Sequence, residues 1–84
     1  MADKKIVVYG TNWCGDCRRA RQFLDKHGIE YEFINIDKDK EAEQFVRKTN
    51  NGMRSVPTII FEDGSILVEP SPMTLAQKLD VQVS

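Results

Sequence analysis

Trp13-Cys14-Gly15-Asp16-Cys17 holds both cysteines of the chain, and its flanks decide the fold. Upstream, Ile6-Val7-Val8-Tyr9 is an apolar, β-branched run, and a strand is read over Lys5 to Tyr9. Gly10-Thr11-Asn12 reads as a loop. Downstream, Ala20, Phe23, Leu24 and His27 recur at i, i+3, i+4 and i+7. That is the period of a helix over Asp16 to His27, ended by Gly28. The cysteine pair therefore stands where a helix begins. Unpaired N–H groups and the positive end of the macrodipole favour negative charge there. A thiolate at such a point is stabilised, and its cysteine becomes a better nucleophile near neutral pH.

Working outward, Tyr31 to Ile36 reads as a second strand. A strand, a three-turn helix and a strand form a right-handed crossover, so the two strands are parallel. A second helix is read over Asp39 to Thr49, with Ala42, Phe45, Val46 and Thr49 as its buried stripe. Asp39, Glu41 and Glu43 near its start and Arg47 and Lys48 near its end suit the dipole, and Asn50-Asn51-Gly52 ends it. Thr58 to Phe61 and Ile66 to Val68 read as strands around Asp63-Gly64, a hairpin signal. Ser71 as N-cap and Pro72 at the first helical position open a last helix, with Leu75, Ala76 and Leu79 as its apolar face. The order β-α-β-α-β-β-α predicts a four-stranded mixed sheet with helices on both faces, the α/β thioredoxin fold, to which C-x-x-C beside a βαβ unit belongs.

Eighty-four residues point to one domain spanning 1–84. A net charge of -1 leaves no basic footprint for nucleic acid. No apolar run approaches the roughly 18 residues of a membrane span. Met1-Ala2-Asp3-Lys4-Lys5 has no apolar segment behind it, so no signal peptide is read and a cytoplasmic location is expected. A structural disulfide between cysteines three positions apart closes too small a loop to stabilise much. In a reducing compartment C-x-x-C means redox chemistry or metal.

The helix start makes the two sulfurs unequal. Cys14 lies just outside the first turn, within reach of solvent. Cys17 falls on the side of Ala20 and Leu24, which face the core. One activated thiolate and one sheltered thiol nearby are what thiol–disulfide exchange needs. Arg18 favours a thiolate, and Asp16 opposes it by like charge while suiting the helix terminus. The Cys14 thiol is expected below its free value, in the upper part of the range of roughly 3.5–7.5 found at such sites. A structural zinc site needs two further ligands, and the single histidine, His27, is three turns away. His27 itself suits the C-terminal end of the helix, and Arg19, Arg21 and Lys26 its solvated side. Trp13 is either a docking platform or a packing residue, and Met53 either lines the site or packs in its loop. Phe23, Phe33, Phe45 and Phe61 are core by periodicity. Pro57 begins a strand, and sequence alone leaves its peptide bond trans.

Taken together, Tyr9 to Cys17, Arg54-Ser55-Val56-Pro57 and the Asp63-Gly64 hairpin resemble the glutaredoxin family. The likeness runs from about Lys5 to Leu79 and is greatest to small bacterial glutaredoxin-like proteins, the mycoredoxins among them. It implies a cis Pro57 facing the cysteines and a Val56 backbone that pairs with a thiol cofactor or substrate. It implies Arg54 as a contact for a cofactor carboxylate, with Thr11 and Ser71 as further candidates. A solvated loop arginine is the plainer reading of Arg54. Three departures stand out: Thr11 where many relatives carry Lys, Gly15-Asp16 between the cysteines, and Glu69-Pro70-Ser71-Pro72 in place of Gly-Gly and an acidic residue. They shift the expectation from glutathione toward another low-molecular-weight thiol, such as a mycothiol-type one, or a protein reductant.

The expectation is a monomeric thiol–disulfide oxidoreductase acting on protein disulfides or S-thiolated proteins. Cys14 attacks, Cys17 resolves, and no metal or prosthetic group is required. Two other readings stay open. One is a redoxin fed by a flavoprotein of the thioredoxin-reductase type, serving a client such as ribonucleotide reductase. The other is a carrier of an iron–sulfur cluster held between two chains.

Overall fold

β1 (Ile6–Gly10) shows how this sheet is used on both sides. Its side chains alternate faces, as strand geometry requires. Ile6 and Val8 enter one hydrophobic cluster while Tyr9 packs against another. The computed structural model describes residues 5–81. The Met1-Ala2-Asp3-Lys4 stretch read above for a signal sequence lies outside the described residues.

The elements follow in the expected order: α1 (Gly15–Lys26), β2 (Tyr31–Asn35), α2 (Lys40–Thr49), β3 (Thr58–Ile60), β4 (Ile66–Val68) and α3 (Pro72–Leu79). Strand order in the sheet is β2-β1-β3-β4. β1 runs parallel to β2, with Val8 opposite Phe33, and antiparallel to β3, with Val8 opposite Ile59. β3 and β4 form an antiparallel hairpin. It turns through Gly64, which takes the positive φ of 88° that glycine adopts without cost. The α/β thioredoxin fold expected from the sequence is the fold observed.

Each face of the sheet has its own core. Ala20, Phe23 and Leu24 of α1 and Leu75 and Ala76 of α3 pack on Ile6, Val8, Ile59 and Phe61. On the other face Ala42 and Val46 of α2 join Ile36, with Tyr9, Ile34, Phe45 and Val56 around them. Phe33 and Phe45 are half-buried where periodicity made them core. Thr49 is exposed, not part of the buried stripe. Its turn is closed from beneath by Asn50, whose amide donates to Val46 O at 2.8 Å and to Thr58 Oγ1 at 3.2 Å. Arg21 is not on a solvated face, because its guanidinium carbon lies 4.0 Å from the centroid of the Phe33 ring.

Helix ends follow the chemistry of their caps. Asp39 and Ser71 accept the N–H groups of Ala42 and Thr74. His27 is the C-cap of α1, its ring 4.5 Å from that of Phe23, and Gly28 follows at φ 66°. Among the described residues no helix is long and apolar enough to cross a membrane.

Candidate active site

β1 does not stop at Tyr9. Gly10 is its last residue, buried and opposite Asn35, and its carbonyl accepts the Ile36 N–H at 2.9 Å. The chain then dips through Thr11, turns at Asn12 and Trp13, and enters α1 with Cys14 as its N-cap. Cys14 has extended backbone angles (φ -85°, ψ 118°), and its sulfur accepts the Cys17 N–H at 3.2 Å. A cap usually offers an oxygen. Here a sulfur fills that position, so one of the orphan donors of the helix points at the atom where negative charge would rest. Cys14 is half-buried, and its Sγ lies 3.8 Å from the carbonyl oxygen of Val56.

Cys17 differs in every respect. Its side chain is fully buried among the residues under α1. Burial, the sulfur of Cys14 and the negative charge of Asp16 push its thiol up to about 12, against the pull of a backbone N–H from Thr11. What admits the sulfur so deeply is Gly10. A Cβ there would stand 2.6 Å from Cys17 Sγ and 3.1 Å from the Phe33 ring. The sequence reading placed Gly10 in a loop and gave it no role. An apolar strand ending in glycine, seven residues before the second cysteine, was the only available sign.

The loop before β3 closes the site from the side. The Val56–Pro57 peptide bond is cis, as the family resemblance implied and sequence alone did not. Pro57 is buried, and its carbonyl accepts the Glu69 N–H at 2.8 Å. Thr58 Oγ1 donates to Ser55 O at 2.7 Å, which fixes the approach of the loop. These bonds carry Val56 to Cys14.

On the α2 side, Trp13, Asp37, Arg54 and Glu43 form a chain of contacts. The Trp13 indole N–H donates to Asp37 Oδ2 at 2.8 Å, and the ring is 68% exposed. Arg54 Nη2 donates to Asp37 Oδ1 at 2.5 Å. Arg54 Nε lies 2.7 Å from Glu43 Oε2, an ion-pair contact without an aligned hydrogen bond. The bonds from Arg54 and Trp13 hold the Asp37 carboxyl below the ordinary range. Arg54 is therefore neither simply solvated nor open: it already holds carboxylates, and both belong to this chain. Sequence reasoning missed Asp37 and Glu43. The Asp37 N–H donates to Asn35 Oδ1 at 2.9 Å, so Asn35-x-Asp37 after a strand was a turn signal at most.

On the α1–α3 side a cleft of about 280 Å³ is lined by Asp16, Arg19, Ala20, Glu69, Ser71 and Leu75. Ser71 spends its hydroxyl on its own helix, accepting from Thr74 N at 3.1 Å. Asp16 pairs with Arg19, so part of the charge expected to oppose a thiolate is taken up locally. Arg18 is exposed. Thr11 was a candidate carboxylate contact, but its side chain is 2% exposed and its hydroxyl has no partner. It sits beneath the loop, and its backbone works on Cys17. Met53 is exposed. Among the described residues no group of three or more His, Cys, Asp or Glu is arranged to hold a metal ion.

Comparison with known proteins agrees with this geometry. The glutaredoxin family model matches residues 6–66. Mycoredoxin 1 of Corynebacterium glutamicum is 36% identical over 75 residues, covering 89% of this chain and 92% of that protein. The glutaredoxin-like protein NrdH of Escherichia coli is 30% identical over 59 residues, 70% of each. A variant of a thioredoxin-like protein, known from a crystal structure, superposes with a TM-score of 0.81 at 28% identity, over 94% of this chain and 99% of that one. With its two sulfurs at the start of α1 and a cis proline beside them, the chain belongs to the glutaredoxin family.

Proposed function

We propose that this redox protein reduces disulfides by a two-cysteine exchange in which Cys14 attacks and Cys17 resolves. The asymmetry of the two sulfurs carries the reading. One is half-buried and accepts a helix N–H, and the other is fully buried with its thiol held protonated. The Cys14 thiolate attacks one sulfur of a substrate disulfide. A Cys14–substrate disulfide forms, and the other half of the substrate leaves as a thiolate. Cys17, losing its proton, then attacks the Cys14 sulfur. The second substrate half leaves, and a Cys14–Cys17 disulfide remains. Two electrons have passed to the substrate, and two thiol equivalents from outside restore the pair. Val56 and Pro57 position the incoming sulfur, while Arg54 and Ser71 border it.

The external reductant is a low-molecular-weight thiol of the glutathione or mycothiol type, and the substrates are disulfide-containing or S-thiolated proteins in a reducing compartment. A second route has an observation in its favour. Arg54 is already paired with Asp37 and Glu43, which disfavours a carboxylate-bearing thiol. That arrangement supports a redoxin recharged by a flavoprotein reductase.

The test takes Cys14→Ser and Cys17→Ser separately, with a small mixed disulfide or a protein disulfide as substrate. Electrons come from glutathione, from a mycothiol-type thiol, or from NADPH with thioredoxin reductase. Cys14→Ser is expected to abolish all turnover. Cys17→Ser keeps turnover of the small mixed disulfide and loses that of the protein disulfide. Turnover surviving in Cys14→Ser refutes the assignment, and the donor that supports the wild type separates the two routes.

A further inference from the structure

We infer that Asp37 and Glu43 set the charge selectivity of the thiol-binding groove, by occupying Arg54 so that an incoming carboxylate finds its cation already neutralised. The inference rests on the reading of Arg54 as a border of that groove.

The geometry is specific. Arg54 offers Nη2 to Asp37 at 2.5 Å and Nε to Glu43 at 2.7 Å, so its guanidinium is engaged on two sides by two different elements. Asp37 follows β2 and Glu43 lies in α2. The side chains of Arg54, Asp37 and Glu43 are 31%, 37% and 29% exposed, so the group is open to an approaching ligand. Arg47 contacts Glu43 at 3.4 Å, which leaves two cations against two carboxylates. A carboxylate approaching Arg54 must displace one of these partners and then stand beside it as a like charge. A neutral, hydroxyl-bearing group meets no like-charge opposition and can donate to the same carboxylates.

The other wall of the site repeats the pattern. In the α1–α3 cleft, Asp16 and Glu69 face one cation, Arg19, already paired with Asp16. Asp37 holds Trp13, the residue before Cys14, and Asp16 is two residues after it, so on both sides of Cys14 in the chain a carboxylate is paired with a cation of the chain itself.

Asp37 has a second duty that shapes the test. Its other oxygen holds the Trp13 indole. Asp37→Asn removes the charge and keeps an acceptor for that N–H, so it separates electrostatics from the placement of Trp13. The substrates are two forms of one peptide with a single cysteine, capped by glutathione or by 2-mercaptoethanol. The readout is the ratio of kcat/KM for the anionic cap to that for the neutral cap. That ratio is expected to rise about threefold in Asp37→Asn, the size of an exposed ion-pair effect, and further in Asp37→Asn/Glu43→Gln, though not as the product of two single effects, because both carboxylates share Arg54. Adding Arg54→Gln returns the ratio to the wild-type value. Near 1 M salt the difference between variants shrinks, because screening shortens to about 3 Å. Glu43→Gln alone serves if the Asp37 variant fails to fold. A ratio that stays flat, or both caps changing in step, overturns the inference while leaving the exchange reading in place. Absence of Cys14-dependent turnover of either cap in the wild type removes the exchange reading, and the inference falls with it.

Discussion

Gly10 controls how far Cys17 retreats from solvent. Its missing side chain leaves the space that the sulfur fills, and a methyl group placed there would overlap Cys17 Sγ at 2.6 Å. The neighbouring Phe33 ring is itself pinned under Arg21, so little can yield on that side. Gly10→Ala is therefore expected to cost about 1–3 kcal/mol, the usual price of overpacking. It should also make Cys17 more open to alkylation, since its sulfur must leave the buried position it now fills. Chemical denaturation and iodoacetamide labelling of the reduced protein check both. Unchanged stability with Cys17 still protected would show that the backbone absorbs the methyl group. At this scale the sequence was legible for placement and poor for partners. Cys14 caps the helix and Cys17 is buried within it, as their spacing at a helix start implied. Asp37 escaped, because its partners are Trp13, 24 positions away, and Arg54, 17 positions away, and no local pattern joins them.

The elements were read more completely than the residues between them. Every strand and helix lies where periodicity and caps predicted, with ends moved by a residue or so. The boundary that moved with consequence was the end of β1, where Gly10 pairs with the sheet instead of opening a loop. Loop geometry was less legible, since the cis bond before Pro57 follows from no local propensity. The β3–β4 hairpin shows how one turn serves a distant helix. Asp63 accepts the N–H and the hydroxyl of Ser65 at 2.9 and 2.6 Å, and it takes Lys78 Nζ of α3 at 2.7 Å. Lys78 and then Ser65 hold its carboxyl well below the ordinary range. A carboxyl depressed on folding stabilises above its unfolded value near 3.9, and that contribution is lost as pH falls through the folded value. Asp63→Asn should therefore shrink the acid-induced loss of stability below about pH 4. Melting temperatures between pH 2 and 6 show it; an identical acid limb would mean that the contact with α3 is idle.

For the molecule as a whole, the two faces of the sheet divide the work. One face is a core of α1 and α3, with Cys17 buried in α1, and the other carries α2. Global stability is thereby tied to the Cys17 thiol. Folding raises the Cys17 thiol to about 12, so its protonated form is favoured in the native state. The stabilisation is complete below the unfolded value, near 8.5, and is lost as pH rises through the folded one. Between about pH 8.5 and 11 the reduced protein should lose stability on the order of a few kcal/mol that Cys17→Ala does not lose. Denaturant midpoints of the two proteins across that range supply the comparison, and parallel curves would remove Cys17 from the linkage. Trp13 is the only tryptophan in the chain, adjoins Cys14 and is anchored by Asp37. Sulfur quenches indole fluorescence to a degree that depends on its oxidation state. The Cys14–Cys17 disulfide proposed above is therefore expected to change Trp13 emission, a readout that needs neither a dye nor a coupled enzyme; identical spectra of the reduced and oxidised protein would rule it out.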